Sequence, residues 1–317
     1  GIEPRLKRGG IYPLLRAATT TALRDLTIYT LMSDVYRGVP SAYADFVGYD
    51  EVAHHSGLFA PTALDTLRRL DAQFARLEYA ITEAPRPYHV VILSDHGQTQ
   101  GATFLQRYDR SLKDLVDSLI DDDVEITVPE MSSEGWGNLN GALTEAVRDK
   151  DSRVGKLLAV TTRKRLVDGD VVLGPAFAEE KAQATGTDTT AESDVIVLAS
   201  GNLGLISFTD IEGRASMEEL STRFPGLVAG LAEHPGIGFV LVSSESLGGL
   251  VIGGGGIRYL SDDHVEGEDP LIGFGPNAAD HLRRTHSFVN APDILVNSFY
   301  DPHADEGAAF EELIGFH

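Results

Sequence analysis

Two short stretches of the chain carry side chains whose types and spacing could hold a metal ion. Residues 47–61 read VGYDEVAHHSGLFAP and bring Asp50, Glu51, His54 and His55 close together. Residues 90–101 read VVILSDHGQTQG, and there Asp95 and His96 close an apolar run. Carboxylate oxygen with neutral imidazole is a mixed donor set suited to zinc, manganese or iron(II). The chain has no cysteine, so thiolate ligands and disulfides are excluded and a metal site must use His and carboxylates. Each cluster has a plainer reading by itself: a solvated loop with a satisfied histidine for the first, a polar turn after a strand for the second. Ser94-Asp95-His96 is not a hydrolase triad. Triad side chains converge in space, whereas adjacent residues on a strand point to opposite faces.

The elements around the clusters decide whether they can meet. Residues 11–36 carry Leu14, Leu15, Ala18, Leu23, Leu26, Ile28 and Leu31 at helical spacing, ended by Gly38-Val39-Pro40. AYADFVGYD, residues 42–50, reads as a strand. Residues 62–82 give the clearest helix: Leu64, Leu67, Leu70, Phe74, Leu77 and Ile81 recur at steps of three and four, with Thr62 and Asp65 as a capping box. YHVVILSD, residues 88–95, then reads as a strand buried on both faces. Strand, helix, strand implies a βαβ unit and a parallel sheet. Ligand sites in such sheets lie beyond the carboxyl ends of the strands. Both clusters are thereby expected at one sheet edge, with Gly57 and Gly97 allowing close backbone approach, and together they favour the metal reading.

Farther along, residues 107–120 read as helical, 130–150 as holding a short helix, and 178–193, AEEKAQATGTDTTAES, as an exposed loop or connector. DVIVLAS, LGLISF and GIGFVLVSSESLGGLVIGGGGIRYL read as strands joined by Ser and Gly turns. Residues 261–290 are irregular, and 291–299 read as a short helix or turn. The expected fold class is α/β: a mostly parallel central sheet flanked by helices, in a single catalytic domain over 1–317.

The composition bounds the function. With 317 residues, 42% hydrophobic and 23% charged, the chain is globular and large enough for a substantial core. Its formal charge of -22 disfavours nucleic acid as a partner. No apolar run reaches the roughly 18 residues that a spanning helix needs. The absent start methionine and the stop at LIGFH suggest a piece of something longer, cut at both ends.

The ordered motifs DEVAHHSG, SDHG and GFH resemble those of the alkaline phosphatase superfamily, within it the type I phosphodiesterase/nucleotide pyrophosphatase group, and especially its bacterial membrane-associated members. Residues 121–290 carry few marks of the family. The resemblance implies a hydrolase of phosphate esters acting on a small-molecule diester or pyrophosphate with two divalent ions, zinc or else manganese. Asp50, His54 and His317 would hold one ion and Asp95 and His96 the other, with His55 the substitute for His54 if the register shifts by one. The family's Thr or Ser nucleophile has no counterpart in residues 1–46. It is expected upstream of Gly1, which would leave the present stretch inactive alone, with membrane association through segments outside it. The same motifs admit a sulfatase or phosphosugar mutase, or a metal-binding module without turnover. A mononuclear oxygenase would use one cluster only.

Other features take plain readings. Gly253 to Gly256 lacks the Lys-Ser/Thr of a phosphate loop and reads as a turn. His281, Arg283, Arg284 and His286 read as a solvated basic patch, Trp136 and Asn138 as part of a Gly-rich loop, and Asp301 with His303 as a weak third cluster.

Overall fold

The computed structural model describes residues 16–120, 124–128 and 194–317, together with 141, 144, 166–167 and 170–171. They fall into two compact units. The first gathers the described residues up to Gly97 and those between 130 and 188; the second gathers the rest from Gln98 to Pro129 and from Thr189 to His317.

The first unit is helical. A π-helical turn, Ala18–Leu23, runs into α1 (Arg24–Arg37), followed by α2 (Gly48–Ser56) and α3 (Pro61–Thr82). Both α1 and α2 pack on α3. Ile28, Val35, Val52, Ala53, Ala63 and Ala80 are buried, and Phe46 meets Phe74 edge-on at 5.5 Å, which ties the loop before α2 to α3. The helix anticipated over 62–82 forms, but its cap differs. Pro61 occupies the first turn after Ala60 and no side chain caps it. Proline suits that place because its missing N–H would be unpaired there anyway. Asp65 instead accepts from Arg69 one turn on, at 2.7 Å.

Neither strand expected to flank α3 forms. Residues 41–46 are irregular, and the segment carrying Asp50 is helix α2. Its acidic residues lie in the first turn and its histidines in the last, the arrangement that the helix dipole favours. Residues 88–95 have no strand assignment. Val90, Val91, Ile92 and Leu93 are 49%, 74%, 64% and 80% exposed, so the run expected to be buried on both faces is not. An apolar β-branched run becomes a strand only when a neighbour supplies ladder hydrogen bonds and cover. The anticipated βαβ unit is therefore absent.

The second unit holds most of the strands. In chain order they are β1 (Thr99–Gln100) and β2 (Ile126–Thr127), then β3 (Leu166–Val167) and β4 (Asp170–Val171), a two-residue ladder of the first unit. Next come β5 (Val195–Ser200), β6 (Leu203–Phe208), β7 (Ile237–Ser244), β8 (Gly248–Gly253), β9 (Gly256–Tyr259) and β10 (Val265–Gly267). The last are β11 (Ile294–Ser298), β12 (Tyr300–Asp301), β13 (Glu306–Gly307) and β14 (Gly315–Phe316).

An 8-stranded sheet runs β10-β9-β8-β7-β11-β6-β5-β2, and its pairings are antiparallel except β2 with β5. A 4-stranded sheet runs β12-β13-β1-β14, in which only β1 with β13 is parallel. The expectation of a mostly parallel sheet flanked by helices is thus overturned. The physical reason lies in the connections: β5 to β6, β7 to β8 and β8 to β9 are joined by short turns, which permit only antiparallel pairing. Residues 291–299, expected as helix or turn, instead supply β11 at the centre of the large sheet.

Helices α4 (Phe104–Tyr108), α5 (Leu112–Asp117), α6 (Met217–Arg223) and α7 (Leu227–Glu233) contribute Phe104, Leu115, Leu220 and Leu231 to a core with Val197, Ile206, Val240 and Val296 of the sheet. The stretch 107–120, read as one helix, is broken by Asp109 at φ 54. Alternate residues Phe239, Leu241, Val251 and Leu295 form a second cluster on which Leu282 of α8 (Ala278–His286) packs. The period-two alternation places the two sets on opposite faces.

Candidate functional site

Within the first unit, Asp50 and His54 stand one helical turn apart on α2. His54 Nε2 lies 3.1 Å from Asp50 Oδ2, with the imidazole buried and the carboxylate partly exposed. Glu51 and His55 repeat the spacing: His55 Nδ1 is 3.6 Å from a Glu51 carboxylate oxygen and 3.2 Å from the Glu51 carbonyl. Residues four apart on a helix share a face, so sequence spacing alone generates both pairs once the segment is helical. Gly57, at φ 89 and ψ 150, ends α2 in a conformation that side chains other than hydrogen rarely adopt.

Tyr49, which the sequence did not single out, lies next to this pair. Its hydroxyl donates to the Leu58 carbonyl at 3.3 Å, and burial first, then the Asp50 carboxylate, raise its pKa. It also lines a cavity of about 210 Å³ with Thr20, Arg24, Asp45 and Thr66. Its only sequence signal was adjacency to Asp50.

Asp95 and His96 form a second local pair in an irregular segment. Asp95 Oδ1 accepts the His96 backbone N–H at 3.0 Å, and Asp95 Oδ2 is 3.6 Å from His96 Nε2. Asp95 is largely exposed. Ser94 donates its hydroxyl to the His96 carbonyl, and His96 Nδ1 lies 3.0 Å from the Gly97 carbonyl. The two pairs do not follow two strands, as the expected sheet edge required. Among the described residues, no group of three or more His, Asp or Glu with ligand atoms within 4.8 Å of one another includes Asp95 or His96. Gly97 has a negative or extended φ and open space where a Cβ would sit, so the close approach expected of it is not seen.

His317 belongs to the second unit, where it follows β14 and is exposed. Its backbone is tightly placed. A Cβ on Gly201, itself at φ +55, would come within 2.3 Å of the His317 carbonyl oxygen. The remaining candidates take structural roles in that unit. Arg283 pairs with Asp263 at 2.9 Å and also with Asp280, and Asp301 accepts the N–H groups of His303 and Ala304. Trp136, Asn138 and 178–193 lie outside the described residues.

The Asp50–His54 pair fits a metal such as zinc. Ligand bonds of about 2.0–2.1 Å at tetrahedral angles put two donor atoms about 3.3 Å apart, close to the 3.1 Å observed. No protein-family model, curated protein or solved structure matches the chain. Among the described residues, no helix is long and apolar enough to cross a membrane.

Proposed function

We propose that the chain carries the metal-binding part of a phosphoric ester hydrolase similar to the alkaline phosphatase superfamily, acting on a small-molecule phosphodiester or pyrophosphate. The observation that carries this reading is the buried His54 imidazole set 3.1 Å from the Asp50 carboxylate. Asp50 and His54 hold one divalent ion, zinc or manganese, with His317 the further ligand implied by the resemblance. Asp95 and His96 hold the second ion. Bound metals of this kind neutralise charge on a transferring phosphoryl group and lower the pKa of a bound water or hydroxyl. No residue of the chain is assigned the nucleophile's role. Membrane association in the intact protein is part of the same reading and would not use the described helices.

The test is metal stoichiometry by elemental analysis after dialysis against zinc, with Asp50→Ala, His54→Ala and Asp95→Ala compared. The expected outcome is two ions per chain, falling by one in each variant, and loss of bis-nitrophenyl phosphate hydrolysis in the intact protein. A second reading is favoured by the same distance: Asp50 and His54 form an ordinary ion pair one helical turn apart, worth about 0.2–0.5 kcal/mol. Full hydrolysis in His54→Ala, or no retained metal in the parent chain, would select that reading and overturn the hydrolase.

A further inference from the structure

Arg214 lies between β6 and α6 in the second unit. Burial, opposed by the nearby Asp293 carboxylate, lowers its pKa, yet it keeps its proton, as arginine does in proteins. Its Nη1 donates to the His286 carbonyl at 3.0 Å. That carbonyl belongs to the last turn of α8, where the helix dipole favours a cation. The other edge of the guanidinium differs. Nε and Nη2 are both buried, and neither meets an acceptor among the described residues. These two N–H groups point the same way and form the fork that takes both oxygens of a carboxylate at once. A buried donor without an acceptor costs free energy, so a ligand that filled the fork would recover it.

The neighbouring groups narrow the chemistry of that ligand. Asp293 does not serve the fork, because its two oxygens accept from Phe208 and Ala215 at 2.7 and 2.6 Å. A metal ion is repelled by the guanidinium. Water or a neutral carbonyl presents one oxygen to two N–H groups. A phosphate dianion brings two negative charges close to the Asp293 carboxylate. A monocarboxylate matches both N–H groups and adds a single charge.

We propose that the Arg214 fork binds a small monocarboxylate, admitted when the bend at 211–213 shifts. Glu212 and Gly213 of that bend are exposed, and Gly213, at φ +85, has open space where a Cβ would sit. The site uses none of the metal ligands assigned above. The experiment is titration of the chain with sodium acetate in excess EDTA, at an ionic strength held constant with sodium chloride. Binding is followed through the Nε–H NMR signal of Arg214, assigned by its loss in Arg214→Lys. Acetamide, of the same shape but uncharged and with one oxygen, is the control. A saturable shift at millimolar acetate is expected, with acetamide at least about tenfold weaker. Arg214→Lys keeps the charge but not the fork. Checked for folding by circular dichroism and read by calorimetry, it should bind acetate at least about fivefold more weakly, and His54→Ala should bind as the parent does. No saturation up to tens of millimolar acetate, or unchanged acetate binding in Arg214→Lys, would overturn the proposal. So would an equal response to acetamide, which would put a neutral acceptor such as water on the fork. Each of these results leaves zinc uptake by Asp50 and His54 to be judged separately.

Discussion

His234 shows how one side chain couples proton uptake to folding. Its Nδ1 accepts the backbone N–H of Gly236 at 3.1 Å, so the ring is neutral with its proton on Nε2. The ring also lies against Phe104 and Tyr108, at 5.2 and 4.9 Å between centres. Burial, then the nearby Arg110, lower its pKa from the ordinary 6.5. The folded state therefore binds protons less readily than the unfolded chain. Stability from this residue is fully present above about pH 6.5 and declines as pH falls from there to the lowered folded value, because the unfolded state holds more protons in that window. His286, lowered by burial and then Arg214, acts in the same sense. Urea midpoints measured from pH 7.5 down to 5 should fall, and His234→Gln, which keeps an acceptor but cannot titrate, should flatten the decline. The candidate metal ligands show a different limit of legibility. The four-residue spacing of Asp50 and His54 was visible in the sequence, but their shared face depends on a helix where strand propensity pointed to β structure.

At the scale of elements, buried polar residues join what hydrophobic patterning alone cannot. Asp293, 4% exposed, precedes β11 and accepts the N–H of Phe208 at the end of β6 at 2.7 Å and that of Ala215 at 2.6 Å. Asp293→Ala leaves two buried donors without an acceptor, each costing about 1–3 kcal/mol. Thermal denaturation should show the second unit markedly destabilised, with Asp293→Asn intermediate because its one carbonyl oxygen can serve only part of the pair. In α2, Gly57→Ala should cost about 1–3 kcal/mol, because its φ and ψ lie where essentially only glycine rests. Circular dichroism melting would register it as a lower midpoint. The strands β5 to β9 were legible because β-branched runs are punctuated by Gly and Ser turns. Their antiparallel sense was equally present in the shortness of those turns, but the expected βαβ unit obscured it. The run at 88–95 was misread for the opposite reason: composition marks a strand, while only a neighbouring edge makes one. Likewise the recurring Leu64, Leu70, Phe74 and Leu77 identified α3, yet the positions it buries fully are Ala63, Thr66 and Ala80.

Across the whole chain, a charge of -22 and an uncovered apolar run oppose each other. Self-repulsion keeps copies apart at low ionic strength, and salt at about 0.15 M shortens its reach to about 8 Å. Val90 to Leu93 form a contiguous apolar segment of high β propensity, the kind that associates edge to edge. Light scattering at rising salt should therefore show association, and Leu93→Asp should suppress it without lowering the melting midpoint, since Leu93 is 80% exposed.

Those same four side chains offer a hydrophobic reporter dye such as anilinonaphthalene sulfonate a landing place before any unfolding begins. A melting curve followed by such a dye would start bright, and its early decline on warming would record dye leaving residues 90–93, not a change in the fold.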